Sequence, residues 1–222
     1  MMKKIIIAID GPAGAGKSTI SRLTAKRLGY AYIDTGAMYR SVAWKFLQSK
    51  KSFDENAISK LASSIEIEFK LENGINRVFV DGTEVTDAIR SSEVTRIVSK
   101  IAAIASVREA LVAQQRRMGN YGGVLLDGRD IGTVVFPNAQ LKIFLTASVQ
   151  ERALRRFLEL REKGQNVDLL PLQKEIELRD KQDSERAIGP LRQAEDAVLL
   201  DTTNMSIDQV IDKILALVQE RI

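Results

Sequence analysis

Residues 11–18 read Gly-Pro-Ala-Gly-Ala-Gly-Lys-Ser, a complete G-x-x-x-x-G-K-S phosphate-binding loop. The loop follows the apolar run 5–9 and precedes a predicted helix over 19–28, which is the strand, loop and helix order that the motif requires. Its glycines let backbone N–H groups turn inward on an anion, and the helix N-terminus adds a partial positive charge. We expect Lys17 to reach the β- and γ-phosphates and the Ser18 hydroxyl to ligate Mg²⁺, so the loop predicts binding of a nucleoside triphosphate.

A second group of polar side chains follows the apolar run 124–126, where Asp127, Gly128, Arg129 and Asp130 come in succession. In open α/β sheets, ligands bind beyond the carboxyl ends of the strands. Asp127 is therefore placed to hold Mg²⁺, either directly or through a water molecule. The alternative is a plain turn after a strand.

A third group lies between Asp34 and Arg40, where a predicted helix follows a predicted strand at 30–33. Thr35 and Arg40 could face an anionic acceptor at this position. The alternative is an ordinary helix N-cap formed by Asp34 or Thr35, since both residue types are favoured there.

The elements that must position these groups alternate between strands and helices. Short apolar runs at 5–9, 124–126, 141–145 and 198–200 are separated by helix-like stretches, which predicts a parallel sheet with helices on both faces. Residues 65–85 instead alternate apolar and charged side chains. They contain turn signals at Asn73-Gly74 and Asp81-Gly82, so they predict a small antiparallel meander inserted into the α/β core.

Further helices are predicted over 91–118, 151–163, 171–183 and 207–221, the last opened by a capping box at 206–209. The apolar residues of that last helix recur at the spacing of a core-facing stripe. They are Ile207, Val210, Ile211, Ile214, Leu215 and Val218.

Composition limits the classes of function. The chain has 222 residues, which fits one α/β domain, and it contains neither Cys nor His, so no thiolate, imidazole base or histidine metal ligand is available. The formal charge of +4 is small and is not gathered into a basic arm, so we expect no nucleic-acid partner. The N-terminus does not resemble a signal peptide and no run approaches the length of a membrane span, so we expect a cytoplasmic protein.

Among proteins that use this loop, the switch GTPases carry an Asn-Lys-x-Asp base-reading tetrad, which is absent here, and no ABC-type signature segment occurs either. Kinases of small molecules remain. Arginines such as Arg108, Arg129 and Arg186 suit recognition of phosphate groups, because guanidinium donates two parallel hydrogen bonds.

The motifs together resemble the bacterial cytidylate kinase family. The resemblance rests on residues 10–18, 34–40, 127–137 and 179–186, and it runs essentially from end to end. It implies an α/β P-loop kinase fold in a single domain 1–222, with a central parallel sheet flanked by helices. The same resemblance implies an inserted nucleoside-monophosphate-binding β lobe at 65–90 and a short helical lid at 149–165.

The family's reaction, transfer of a phosphoryl group from Mg²⁺·ATP to CMP or dCMP, is the activity that the resemblance implies. It also implies a monomer that acts on small molecules, with no membrane partner. Within it, Arg40, Arg129 and Arg186 would hold the CMP phosphate, Thr35, Ser99, Arg108 and Asp130 would read cytosine, and Arg179 and Asp183 would contact the sugar. The ATP phosphates would be cradled by Gly11, Pro12, Ala13, Gly14, Ala15, Gly16, Lys17, Ser18 and Thr19.

Two points stay open from the sequence. Arg179 and Asp183 lie four residues apart on one predicted helix, so a plain ion pair is an alternative or an addition to sugar binding. Of the lid arginines Arg152, Arg155 and Arg156, not all can face the phosphates, and we favour Arg156 as the catalytic one.

Rival functions are a kinase of another small molecule, such as shikimate or thymidylate, and a nucleotide- or RNA-binding module without turnover. A panel of acceptors separates the first rival, and the absence of turnover would favour the second.

Overall fold

A computed structural model describes residues 4–72, 75–162 and 164–222. The described chain divides into two compact units. The first contains the residues up to Ala31 and those from Gly122 to Ile222, and the second contains Tyr32–Tyr121.

The first unit is built on parallel strands. β1 (Ile6–Asp10) pairs on one side with β6 (Val124–Gly128) and on the other with β7 (Leu141–Thr146), which in turn pairs with β8 (Val198–Asp201). The sheet order is β2-β6-β1-β7-β8, and the boundary between the units falls inside the edge strand β2 (Ala31–Asp34).

The central strands explain why the sequence shows short unbroken apolar runs. Ile7, Ile9, Leu125 and Leu126 are fully buried, as expected of parallel strands that are covered on both faces. The helices of this unit are α1 (Lys17–Leu28), α6 (Val149–Glu162), α7 (Leu169–Ser184) and α8 (Ile207–Gln219). The predicted α/β fold with a parallel sheet flanked by helices is confirmed.

The second unit contains a separate antiparallel sheet of β3 (Ile67–Glu72), β4 (Ile75–Val80) and β5 (Thr83–Glu84), as the alternating pattern predicts. Asp81 and Gly82 have φ of 48° and 79°, the left-handed pair that a two-residue hairpin turn needs. The predicted turn at Asn73-Gly74 lies outside the described residues. The helices of this unit are α2 (Thr35–Gln48), α3 (Glu55–Ser64), α4 (Ser92–Ala103) and α5 (Ala105–Gly119), with a 3₁₀ turn at Ala88–Arg90.

Several element boundaries differ from the sequence-based prediction. The helix expected over 91–118 is two helices, because Ile104 is extended (φ −72°, ψ 120°) and ends α4 where α5 begins. The helix α7 begins at Leu169, which puts Pro171 in the first turn, where its missing N–H is no loss. The predicted end of α6 at Lys163 lies outside the described residues.

The final helix keeps its predicted capping box, in which the Ser206 side chain accepts from Gln209 and the Gln209 side chain accepts from Ser206. Most of its apolar stripe is buried, but the prediction is wrong for Ile207, which is 51% exposed because it stands at the open first turn. None of the helices in the described part of the chain has the length and apolar character that a membrane crossing requires.

Candidate active site

The phosphate loop begins directly where β1 ends. Gly11 has φ 151°, and a Cβ added there would collide with the carbonyl oxygen of Leu145 on the neighbouring strand, so only glycine fits. Gly16 is left-handed (φ 85°) and forms the N-cap of α1. The helix starts at Lys17, two residues before the predicted start, so Lys17 and Ser18 both lie in its first turn.

Lys17 is buried inside the loop. Only 6% of the residue is exposed, and its Nζ donates to the carbonyl oxygen of Pro12 at 2.7 Å. Burial, followed by the charges of Arg129 and Arg179, lowers the pKa of this ammonium well below its ordinary value, whereas the carboxylate of Asp127 acts in the opposite direction. An anion that enters the loop would favour the charged ammonium, because opposite charge nearby stabilises it.

The two predicted metal ligands lie together. The Ser18 hydroxyl donates to Oδ2 of Asp127 at 3.1 Å, and Asp127 is almost fully buried at the end of β6. Hydroxyl and carboxylate oxygens are the hard ligands that Mg²⁺ prefers, and Mg²⁺ usually takes few protein ligands besides water and phosphate oxygens. The residues present therefore fit a magnesium ion at the start of α1.

A carboxylate flanked by guanidinium groups lies beyond the end of β6. Arg129 donates from Nε to Oδ2 of Asp183 at 2.7 Å, and Nη1 of Arg186 lies 3.3 Å from Oδ1 of the same carboxylate. Burial alone would raise the pKa of Asp183, but the two guanidinium groups outweigh it and hold that pKa below its ordinary value. The carboxylate orients both arginines and leaves net positive charge for an anion.

Arg179 belongs to the same charged group. Burial and repulsion from Arg129 lower its pKa, and its Nε is buried without a hydrogen-bond partner among the described residues. The described ion pairs of Asp183 run to Arg129 and Arg186, so the simple Arg179–Asp183 pair considered from the sequence is not the arrangement found. A buried donor without a protein partner is unusual in a folded protein, and a ligand would account for it.

The arginines of α6 differ in what they contact. Arg152, which is 4% exposed, donates to the carbonyl oxygens of Ala13 at 2.7 Å and Ala147 at 2.9 Å. It also pairs with Asp180 of α7, whose other carboxylate oxygen accepts the Ala13 N–H at 2.9 Å. Arg152 and Asp180 thus bind the carbonyl oxygen and the N–H of Ala13 in the phosphate loop. The sequence does not predict these contacts, because nothing in the spacing of the residues indicates them.

Arg155 and Arg156, the other two arginines of α6 considered from the sequence, point to different surroundings. Nη1 of Arg155 would lie 3.9 Å from a Cβ added at Gly16, and its guanidinium donates to Thr202 at 2.8 Å. Arg156, the residue favoured from the sequence, pairs with Glu159 at 2.8 Å and is 44% exposed in its side chain. Arg152 therefore contacts the phosphate loop and Arg155 lies beside Gly16, whereas the described contact of Arg156 is its pair with Glu159, and its catalytic role stays a prediction.

Asp130, also predicted from the sequence, is a residue of the first unit and is 4% exposed. The second unit carries the predicted residues between 35 and 108. Asp34 is the N-cap of α2, since it accepts from the Ala37 N–H at 2.9 Å, and Thr35 is the first residue of the helix. Arg40 donates from Nη1 to the Ile89 carbonyl at 3.2 Å and to Oγ1 of Thr95 at 2.9 Å.

Further along this unit, Ser99 is half-buried on α4, and Arg108 of α5 is 2% exposed. Arg108 donates to the Ala102 carbonyl at 3.0 Å and lies 5.3 Å from the centroid of the Tyr39 ring. These contacts hold the Arg40 and Arg108 side chains in defined positions within the unit.

Comparisons with known proteins agree with the motifs. The family model for cytidylate kinase matches residues 7–220. Cytidylate kinase from Caldicellulosiruptor bescii is 54% identical over 217 residues, covering 97% of this chain and 96% of the relative. Cytidylate kinase from a Geobacillus species is 53% identical over 223 residues and covers both chains completely.

Solved structures show the fold at much lower identity. A gluconokinase from Sinorhizobium meliloti superposes with a TM-score of 0.50 at 15% identity, covering 98% of this chain and 94% of that chain. An uncharacterized protein from Eubacterium ventriosum gives a TM-score of 0.56 at 12% identity, with 99% and 100% covered. The family model that matches residues 7–220 and the two relatives above 50% identity establish that the chain belongs to the cytidylate kinase family.

Proposed function

We propose that the protein transfers the γ-phosphoryl group of ATP to CMP or dCMP, giving ADP and CDP or dCDP, as a step of pyrimidine nucleotide metabolism. The observation that carries the proposal is the buried carboxylate of Asp183, which accepts from Nε of Arg129 at 2.7 Å and lies 3.3 Å from Nη1 of Arg186. Two arginines suited to an acceptor phosphate are thus held beyond the end of β6, the strand whose Asp127 accepts from Ser18 of the phosphate loop, in a chain of the cytidylate kinase family.

The acceptor in this reaction is a phosphate oxygen that is already anionic near neutral pH. No general base is needed to deprotonate it, which agrees with a chain that contains no His. The remaining difficulty is to bring two polyanions into line, so catalysis is mostly positioning and neutralisation of charge.

In the first unit, we assign the phosphates of ATP to the backbone N–H groups of residues 11–19 and to Lys17. Arg129 and Arg186, which Asp183 already orients, hold the phosphate of the acceptor. The carboxylate of Asp183 can still accept from a ribose hydroxyl, because each of its oxygens has a second lone pair. The Nε of Arg179 is a buried donor that a sugar oxygen would satisfy.

Ser18 and Asp127 are the residues that would hold Mg²⁺. A bound Mg²⁺ supplies charge neutralisation on the phosphate oxygens. The short distance between the Ser18 hydroxyl and Asp127 supports this assignment.

In the second unit, we assign recognition of the base to Thr35, Ser99 and Arg108, and contact with the acceptor phosphate to Arg40. The hydrogen bond from Arg108 to Ala102 and its position over the Tyr39 ring reduce the freedom of this guanidinium. A side chain that is already ordered loses less conformational entropy when it binds.

Asp130 is assigned to the 4-amino group of cytosine. It is 4% exposed and lies directly before a turn over residues 131–135. Uracil presents a carbonyl oxygen where cytosine presents the amino group, so two acceptors would face each other and a buried polar group would be left unpaired. We therefore expect a strong preference for CMP over UMP.

The test is release of ADP from Mg²⁺·ATP with CMP, dCMP, UMP, AMP, GMP, dTMP and shikimate, each supplied separately. Turnover with CMP and dCMP and little with UMP is the expected result. Turnover with another acceptor alone would keep the kinase fold and overturn the substrate assignment. Binding of ATP or RNA without turnover would favour the binding-module alternative.

We also propose, as the family resemblance implies, that the protein works as a cytoplasmic monomer on free nucleotides. Sedimentation or light scattering at working concentration tests the monomer. A stable dimer would contradict it.

A further inference from the structure

Asp10, the last residue of β1, is a buried carboxylate that the reaction described above does not use. Its Oδ1 accepts the N–H of Ile131 at 2.8 Å, and its Oδ2 accepts the N–H of Gly132 at 2.7 Å. Both oxygens are thus committed to consecutive backbone donors of one turn. The turn is the π-helical segment Ile131–Val135, which follows Asp130 directly.

The turn is also packed tightly at Gly132, between Lys142 and Asp10. A Cβ added at Gly132 would lie 3.1 Å from Cδ of Lys142 and 3.4 Å from Oδ2 of Asp10. The Lys142 side chain is itself fixed, because its Nζ donates to the carbonyl of Pro137 and pairs with Asp196 at 2.8 Å. The start of the turn is therefore held by Asp10, and Pro137, the second residue after the turn, is held by Lys142.

Asp10 connects the phosphate loop with the residues assigned to the acceptor. It is bonded covalently to Gly11, the first residue of the phosphate loop, and hydrogen-bonded to the segment that directly follows Arg129 and Asp130. The loop for the donor phosphates and the residues assigned to the acceptor are thus joined through one side chain. The backbone pairing of β1 with β6 ends at Asp10 and Gly128, so beyond this point the Asp10 side chain makes the connection.

We propose that Asp10 is a positioning residue, whose carboxylate fixes the turn after Asp130 and thereby sets Arg129 and Asp130 relative to the phosphate loop. The inference rests on the proposed function for its kinetic consequence. The structural part, that the turn depends on Asp10, stands on the two hydrogen bonds.

The substitution Asp10→Asn isolates this role because it preserves the shape of the side chain. An amide offers one oxygen acceptor and one NH₂ donor, so one of the two backbone N–H groups would face another donor. Loss of a hydrogen bond to a charged group corresponds to a fall of about 10- to 100-fold in kcat/KM for CMP. We expect the preference for CMP over UMP to fall as well, while the Kd for ATP changes less than KM for CMP, since both hydrogen bonds of the Asp10 carboxylate run to the turn and only its charge acts on Lys17 of the loop.

Asp54→Asn is the matched control. Asp54 also accepts a backbone N–H, that of Ala57 at 2.6 Å, but it does so as the exposed N-cap of α3. This variant should leave KM for CMP and the CMP preference unchanged and hardly change the melting temperature, because Asn caps a helix about as well as Asp. If Asp10→Asn lowers the melting temperature and leaves KM for CMP and the CMP preference as they are in Asp54→Asn, Asp10 is merely structural and the proposal is overturned.

Hydrogen exchange gives a readout that does not depend on activity. In Asp10→Asn, the amides of Ile131 and Gly132 should exchange faster, while those of the sheet interior keep their protection. Unchanged exchange at these two amides would overturn the inference even if the protein phosphorylates CMP. Faster exchange in Asp10→Asn, together with an unaltered protein that fails to use CMP, would instead overturn the proposed function and leave the structural part of the inference standing.

Gly132→Ala provides a second variant, should Asp10→Asn not fold. Its methyl group would crowd Lys142 and Asp10 without changing any charge. We expect the same loss of preference for CMP in a milder form. A normal CMP preference and KM in this variant would count against the proposal.

Discussion

Replacement of Asp183 by Asn tests the charged group that we assign to the acceptor. The side chain of Asp183 is 8% exposed and lies between Arg129 and Arg186, which are 18% and 10% exposed. Removing one partner of a buried ion pair costs about 3–5 kcal/mol, because the remaining charge stays buried without compensation. The amide of Asn keeps part of the hydrogen bonding, so we expect the free energy of unfolding to fall by about 3 kcal/mol.

For a chain of this length, about 2–4 °C of melting temperature correspond to each kcal/mol, so Asp183→Asn should melt about 6–12 °C below the unaltered protein. Asp208→Asn is the matched control, since Asp208 also pairs with an arginine, Arg27 at 2.8 Å, but is 78% exposed. Exposed pairs contribute about 0–1 kcal/mol, so its melting temperature should hardly change.

The assay is thermal unfolding followed by circular dichroism, with and without inorganic phosphate. Without the carboxylate, Arg129 and Arg186 repel each other, so phosphate should raise the melting temperature of Asp183→Asn more than that of the unaltered protein. Because the folded-state pKa of Asp183 is depressed, its contribution to stability is present above the ordinary value of 3.8 and is lost as the pH falls through the folded pKa. The difference between the two proteins should therefore narrow in acid. Equal melting temperatures for Asp183→Asn and Asp208→Asn at neutral pH would refute the reasoning.

Three further predictions concern other residues. Asp130→Ala should reduce the ratio of kcat/KM for CMP over that for UMP by about 10-fold or more, and an unchanged ratio would contradict the base assignment. Arg156→Ala should lower kcat if this arginine reaches the transferred phosphoryl group, as the sequence predicts. If kcat of Arg156→Ala is unchanged and Arg155→Ala lowers kcat, the catalytic role belongs to Arg155, whose guanidinium lies beside Gly16 of the phosphate loop. Burial raises the pKa of Asp10 from 3.8 to about 6, so between these pH values the folded protein binds a proton that the unfolded chain does not. The free energy of unfolding should therefore fall by up to about 3 kcal/mol as the pH rises from 4 to 6. Urea titrations over this range check that fall, and Asp10→Asn should lack it.

The parts of the fold that could be predicted from sequence are those encoded locally. The strand, loop and helix around the phosphate loop follow from glycine spacing and one apolar run, and the hairpin turn at Asp81 and Gly82 follows from two residues that tolerate positive φ. The close contact between Ser18 and Asp127 was also predictable, because both follow buried parallel strands that end at the same edge of the sheet.

The features that escaped prediction depend on contacts between distant segments. The break at Ile104 contains neither glycine nor proline, so no local signal marks it. The π-helical turn at Ile131–Val135 begins where Asp10 supplies two acceptors from another strand. The choice among the arginines of α6 depended on how that helix packs against the phosphate loop, and helical spacing alone does not give that orientation.

The most direct test of the central claim is to follow the γ-phosphoryl group itself. The protein is incubated with Mg²⁺ and ATP labelled in the γ-phosphate, together with CMP, and the products are separated by anion exchange. We expect the label in CDP, with one ADP formed for each CDP and little inorganic phosphate. Label in inorganic phosphate alone, or no loss of ATP while CMP is present, would contradict phosphoryl transfer to CMP.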